Sequence, residues 1–311
     1  MHSSRLHGLG GQRACRYRLR AAAAGLALVT GACGASTART ASSTSTSPTT
    51  TARGSGPVEV LYAGSLLSLM DNRVGPGFAK ASGYSLVGTS GDSGSLANEI
   101  KAKVETGDVY ISASPAKNAL LEGAANGRWV SWFATFATSA LVIGYNPRSK
   151  FAAQLATRPW YEVVDQPGFL LGRTDPATDP KGGLAVEALN QAAAAHQRPA
   201  LAGLAGSTSN VFAENTLVGR LQAGQLDAGF FYGVEATTAG IPTVSLPGSS
   251  LAARYTITVL AHAAHPIGAL AFVRYLLGPA GAADLARAGL VLSRPIGVSG
   301  TPPPSLEGAL F

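Results

Sequence analysis

The chain has 311 residues, of which 46% are hydrophobic and only 13% charged, with 24 basic side chains, 17 acidic ones and two cysteines. Five arginines, Arg5, Arg13, Arg16, Arg18 and Arg20, crowd the first twenty positions; without them 19 basic residues face 17 acidic ones, so the formal +7 falls to +2 and a basic nucleic-acid-binding domain is excluded. Cys15 and Cys33 both lie near the N-terminus, which excludes an internal disulfide, a thiolate metal site and thiol chemistry from the rest of the chain.

The leader arginines precede a short apolar run, "AAAAGLALV", and the small-residue stretch "TGAC", a pattern that predicts an export signal over residues 1–32. The run is too short to span a bilayer as a mature helix. Its ending at Cys33 resembles a bacterial lipoprotein signal, although Thr30 stands where that pattern usually has Leu. The resemblance implies a lipid on Cys33 and anchoring to the membrane on the extracytoplasmic face. Residues 33–57 are almost pure Ser, Thr, Ala, Gly and Pro, too polar and small to bury a core, and are expected to form a flexible tether. From Val58 to Phe311 the chain is long enough for one large domain or two lobes.

In this body short apolar runs alternate with helical patterns, which predicts an α/β fold with sheets covered by helices. "VEVLYA" reads as a strand, followed by a helix from "GSLLSLM" with Ser65 at its N-cap. "YSLVGT" is the next strand, and "SLANEIKAKVE" a helix capped by Ser95, with Leu96, Ile100 and Val104 as its buried stripe. Further strands follow at "DVYIS" and "ALVIGYN", separated by a helix that starts at Pro115. The middle third runs from the strand "FLLGR" through an Asp-Pro-rich turn into the helix "LAVEALNQAAAAHQ". A helix around "NTLVGRLQAG", the strands "AGFFY" and "YTITVL", and helices over 266–277 and 279–288 close the chain. Each loop between a strand and the next helix places hydroxyls and free N–H groups at strand carboxyl ends, where open α/β sheets bind ligands and helix N-termini favour anions.

The loop "SGDSGSL" contains GDSG, the setting of a nucleophilic serine in many serine proteases. A nucleophilic Ser93 needs a histidine base and an acid beside it. The body offers His196, His262 and His265, and the tetrapeptide runs straight into an amphipathic helix. A hydroxyl and amide cradle formed by "AGSL" and "SGDSGSL" at neighbouring strand ends is the rival reading, and on these residues alone Ser65 and Ser95 are equally well explained as helix caps.

Five segments, "VLYAGSLLSLM", "SGSLANEIKA…DVYISAS", "FATSALVIGYNP", "GRTDPATDPKGGLAVEAL" and "LQAGQLDAGFFYGVEA", together resemble the molybdate/tungstate-binding proteins of ABC importers. The resemblance implies a two-lobed type II periplasmic-binding-protein fold with a ligand cleft between the lobes. Lobe 1 would comprise residues 58–139 and 250–311, and lobe 2 residues 140–249. It implies a monomeric, non-enzymatic binding protein that needs no cofactor, carries molybdate or tungstate and meets a membrane permease. By motif, Ser65 and Ser93 would bind oxyanion oxygens, with Ser95 a possible rival of Ser93. The backbone N–H groups at Lys181 and Glu214 would add donors, and the Tyr232 phenol would complete the shell. One branch of the family adds two carboxylates to the metal. Asp179 occupies one of those positions as a possible ligand to the oxyanion metal, but Phe231 stands where the other, a Glu, is expected. This implies a four-coordinate oxyanion, with Asp179 turned away, bonded to loop amides or protonated, and with Glu214 a first-turn residue facing solvent; the rival outcome has Glu214 swing in as a replacement ligand. Sulfate or another anion, and a lipid-anchored hydrolase using Ser93, are the alternatives.

Overall fold

The structure, a computed structural model, describes residues 53–311; the expected export signal, Cys33 and most of the expected tether lie outside the described residues. The described chain is hydrogen-bonded from its start, with the Gly54 N–H donating to the Ser82 carbonyl. Nine strands form the framework: β1 (Pro57–Ala63), β2 (Ser85–Gly91), β3 (Val109–Ser112), β4 (Trp132–Tyr145), β5 (Leu171–Gly172), β6 (Ala228–Tyr232), β7 (Thr243–Ser245), β8 (Ala252–Val259) and β9 (Val291–Gly300).

Their order is β2-β1-β3-β8-β4-β6-β5, with β7 and β9 also paired to β4. The 14-residue β4 serves two sheets. Its residues Trp132–Ala140 pair with β8 and β9, and Leu141–Tyr145 pair with β6, while Val142–Gly144 also pair with β7. On the first side β1 runs parallel to β2 and β3; on the second, β5 runs parallel to β6. Buried parallel strands read as near-continuous apolar runs, and β1 and β6 behave so, with Val60, Leu61, Tyr62, Phe230 and Phe231 all buried. Phe231 and Tyr232 alternate across the sheet: Phe231 packs with Leu217, Leu221, Leu226 and Ile241, and Tyr232 belongs to the large core. No single helix among the described residues is long and apolar enough to cross a membrane.

Several local expectations need correction. Ser65 is not a helix cap: a 3₁₀ turn covers Gly64–Leu66, and Ser65 is buried inside it. Ser95 does not cap its helix either, because the helix runs Ser93–Lys101 and Asp92 holds the N-cap position. Val104 is 73% exposed, since the helix ends before reaching it and Leu96, Ala97 and Ile100 form the buried face alone. Strand β9 and the first half of β4 escaped the sequence reading. The Pro and Gly of "VLSRPIGVSG" read as loop, and Pro is tolerated there because β9 pairs on one side only, with β4.

Candidate functional site

Four strand ends deliver the site. After β1 the chain turns through Gly64 and Ser65; after β2, Asp92 and Ser93 open a helix; after β5, Asp179 caps the helix Pro180–Ala195; after β6, Tyr232 leads into the helix Gly233–Ala239. A fifth contribution is Glu214, the first residue of the helix Glu214–Gln222.

The side built on β1, β2 and β8 presents neutral hydroxyls that are already paired, and one carboxylate, Asp92, that accepts from the opposite side. Ser65 Oγ lies 2.9 Å from Tyr255 Oη. Ser93 Oγ accepts from the Ala113 N–H at 3.2 Å, and the Ser93 carbonyl accepts from Tyr110 Oη at 2.6 Å. Ser95, third in its helix, is half-buried and offers no comparable contact. None of the body's histidines is a partner of Ser93: His265 Nδ1 meets Asp108, His262 packs edge-on against Trp129 and His196 stacks on Tyr161. The base that a nucleophilic Ser93 requires is therefore engaged elsewhere in each case.

The side built on β5 and β6 is charged. Lys181 is fully buried, and its ammonium donates to both Glu235 oxygens at 3.0 and 2.7 Å. It also lies 3.5 Å from Glu214 Oε1, close enough to attract but without a hydrogen bond. Burial pulls the Lys181 pKa down, yet the charges of Glu235, Glu214 and Asp179 outweigh it and the ammonium is held well above its ordinary value. The Asp179 carboxyl is pushed well above the usual carboxylate range by burial and then by the Glu214 charge. Burial likewise raises Glu214 and Glu235, with Lys181 opposing.

Glu214 is therefore not a solvent-facing first-turn residue: it is buried, and its Oε2 accepts from the Gly64 N–H at 2.8 Å. The two backbone donors expected for an anion are engaged by carboxylates. The Lys181 N–H donates to Asp179 Oδ1 at 2.6 Å, and the Glu214 N–H donates to Asp92 Oδ1 at 2.9 Å. None of the three expected fates describes Asp179 Oδ1, which caps its own helix by accepting from the first-turn Lys181 amide. Its Oδ2, Glu214 Oε1, Thr174 Oγ1 and Tyr232 Oη are buried without a hydrogen-bond partner. Unpaired buried polar atoms are costly and call for a functional account. Phe231 does not line this space as a bare apolar wall; it packs into the helix-covered core, with its ring 5.6 Å from the Lys181 ammonium.

The two sides touch through backbone and side chain. Asp92 Oδ2 accepts from Thr178 Oγ1 at 3.0 Å, and the Gly94 N–H donates to the Thr178 carbonyl at 2.8 Å. A Cβ at Gly94 would stand 2.3 Å from that carbonyl oxygen, so only glycine permits the approach. A groove of about 400 Å³, lined by Ser65, Asp71, Asn72, Glu214 and Glu235 among others, reaches this cluster from outside. A larger groove of about 510 Å³, around Trp160, Tyr161 and His196, shares no residue with the cluster or with that groove.

Of the residues singled out in the sequence, the structure brings Ser65, Ser93, Asp179, Lys181, Glu214 and Tyr232 into one region. Sequence reasoning missed Asp92, Glu235 and Tyr255. Asp92 was hidden by the protease-like tetrapeptide that contains it. Glu235 sits between Val234 and Ala236 in an otherwise uncharged segment, "YGVEATTAG", and that isolation was the available signal.

Strand-end loops that converge on a buried polar cluster, with one long strand shared by two sheets, define the class of two-lobed binding proteins with a cleft at the strand ends. Comparison carries this further: residues 58–291 match the model of the bacterial extracellular solute-binding proteins, and the chain belongs to that family of extracytoplasmic proteins. A protein of Haloferax volcanii named for molybdenum binding in ABC transport is 35% identical over 121 residues, 39% of this chain and 40% of its own length. An uncharacterised solute-binding protein of Halobacterium salinarum is 29% identical over 70% of this chain and 79% of its own. The molybdate/tungstate-binding protein WtpA of Pyrococcus abyssi is 25% identical over 49% of this chain and 60% of its own. The chain thus spans less than two thirds of the Haloferax and Pyrococcus relatives, 40% and 60% of their lengths. Among solved structures, the periplasmic molybdate-binding protein of Azotobacter vinelandii superposes with a TM-score of 0.58 at 20% identity, over 76% of this chain and 99% of its own. The sulfate-binding protein SubI of Mycobacterium tuberculosis gives 0.57 at 16%, over 76% and 86%. These two likenesses establish the two-lobed periplasmic-binding-protein fold.

Proposed function

We propose that this protein captures molybdate or tungstate outside the cytoplasm and delivers it to the permease of an ABC importer. The observation that carries the reading is the group of buried, unpartnered oxygens, Tyr232 Oη and Thr174 Oγ1 foremost, beside the paired Ser65 and Ser93 hydroxyls. Neutral hydroxyls can replace the water around a desolvated anion without a counter-charge strong enough to prevent its release. The names of the Haloferax and Pyrococcus relatives support the choice of metal oxyanion over sulfate.

In this reading residues 58–139 with 250–311, and 140–249, are the two lobes. They rotate about β4 and the segment that returns to β8, and the closed face is what the permease recognises. The protein acts as a monomer, held at the membrane by a lipid on Cys33. Calorimetric titration of the purified protein with molybdate, tungstate, sulfate and phosphate tests the ligand. Tight binding of the first two with weak binding of the others is expected, and a preference for sulfate would overturn the assignment. Replacing Cys33 with Ala should release the protein into the medium, because one lipid-bearing residue then holds an otherwise soluble chain; a variant that stays with the membrane would refute the anchor.

A further inference from the structure

Four carboxylates, Asp92, Asp179, Glu214 and Glu235, cluster here with a single ammonium, Lys181, so the fully ionised cluster sums to −3. Lys181 is committed to Glu235 by two hydrogen bonds. The other three carboxylates accept from neutral donors only, both oxygens of Asp92 among them, and their one approach to that ammonium is the 3.5 Å contact to Glu214. One oxygen from each of Asp92, Asp179 and Glu214 lies within 4.8 Å of the others. A point among three atoms so spaced stands no more than about 2.8 Å from each, close to the ~2.3–2.6 Å at which hard cations hold oxygen ligands. Two of the available oxygens, Asp179 Oδ2 and Glu214 Oε1, are buried and have no hydrogen-bond partner, as is the Tyr232 hydroxyl. The groove that ends on Glu214 and Glu235, with Asp71 on its wall, gives a small cation an acidic path from solvent.

We propose that Asp92, Asp179 and Glu214 bind one divalent cation of the oxygen-preferring class, such as Ca²⁺, Mg²⁺ or Mn²⁺, and that this cation and the oxyanion load into the cleft together. The cation neutralises carboxylates that would otherwise repel a dianion in a desolvated space. It also joins the two sides, because Asp92 follows β2 whereas Asp179 and Glu214 belong to the opposite side. The cation site stands on the carboxylate geometry alone; joint loading rests on the oxyanion reading above.

The test uses the whole protein, freed of metal with EDTA. CaCl₂, MgCl₂ and MnCl₂ are titrated one at a time without oxyanion, and binding is followed by calorimetry and by thermal unfolding. One cation per chain, a raised Tm, and at least tenfold weaker binding in both Glu214→Gln and Asp92→Asn are expected. Each of these variants keeps a carbonyl oxygen for its backbone donor. Molybdate is then titrated with EDTA and with saturating cation, and at least tenfold tighter binding with the cation is expected. If no cation binds the wild-type protein, or if both variants bind it normally, the site is refuted. Molybdate binding that is equally tight in EDTA, and weakened by Glu214→Gln, would place the carboxylates on the oxyanion's own metal and overturn joint loading. Cation binding with no oxyanion binding at all would uphold the cation site and sink the oxyanion reading instead.

Discussion

The two sides of the cleft are built on opposite principles. Where β1, β2 and β8 end, hydroxyls meet one another or backbone amides: Ser65 with Tyr255, Ser93 with Ala113, Tyr110 with the Ser93 carbonyl. Where β5 and β6 end, a buried lysine and three buried carboxylates crowd together, and Asp179, Glu214, Thr174 and Tyr232 each keep an oxygen without a partner. The first side is finished as folded, and its polar atoms hold the loops in place. The second keeps those oxygens unpaired at a cost in stability, and on the proposed function its residues carry the specificity. Removing a hydroxyl from the first side should therefore cost folding as well as binding, and removing one from the second should cost binding alone, except where the group is itself the counter-ion of the cluster.

That exception gives the largest expected effect. Lys181→Met leaves Glu235 and Glu214 buried without their cation, and urea unfolding should show a loss of about 3–5 kcal/mol. Combining it with Glu235→Gln should restore a good part of that loss. If the single variant is as stable as the wild type, the charged side is not held together by Lys181.

Next come the hydroxyls. Ser93→Ala strips the buried Ala113 N–H of its acceptor and should lower folding stability by about 1–3 kcal/mol, whereas Tyr232→Phe removes an unpartnered hydroxyl and should leave stability intact or raise it. For ligand binding, Ser65→Ala, Ser93→Ala and Tyr232→Phe should each weaken oxyanion affinity by about 1–3 kcal/mol, the scale of a hydrogen bond to a charged partner. A Tyr232→Phe protein that binds normally but unfolds more readily would reverse the contrast between the two sides.

The smallest effect is a slope. Asp179, Glu214 and Glu235 have folded-state pKa values raised above their ordinary 3.8 and 4.5, so the folded protein binds more protons than the unfolded chain in the interval above those values. Their contribution is fully present below the ordinary carboxylate range and is lost as pH rises through the elevated folded values. Stability without ligand or divalent cation should therefore decline as pH rises above the ordinary values of 3.8 and 4.5 and through that window. Asp179→Asn should flatten the decline, and a wild-type protein that gains stability across the same window would contradict the burial of these acids as a functional feature.

Much of this was legible in the residues. The strand–loop–helix rhythm located the loops of Ser65 and Ser93, because a small polar loop between an apolar strand and a helix can face only one end of the sheet, whereas Tyr232 was singled out by the family resemblance alone. The local roles were less legible, since Ser65 and Ser95 obey capping preferences that tertiary contacts then override. Glu214 shows why. A glutamate in the first helical turn is favoured by the helix dipole wherever it points, and what turns it inward is the Gly64 N–H, 150 residues earlier in the chain. Lys181 and Glu235 are separated by 54 residues, and Asp92 and Glu214 by 122, so no local pattern could announce those partnerships. The 14-residue β4 was half missed because "WFATFATS" mixes small residues with aromatics, and its strand conformation is fixed by β8 and β9, which lie more than a hundred residues downstream.

The approach of Gly94 to the Thr178 carbonyl works like a fit machined to the clearance of one hydrogen atom. A joint of that tolerance is sensitive to the smallest shim: the methyl group of Gly94→Ala would stand 2.3 Å from the oxygen and hold the faces apart. On the proposed function, that single carbon would convert a molecule able to shut into one that is jammed ajar, with every group proposed to touch solute still in place. Such a protein would offer the proposed importer a loaded but unlatched cargo, and so separate what a transporter needs from the solute from what it needs from the shape around it.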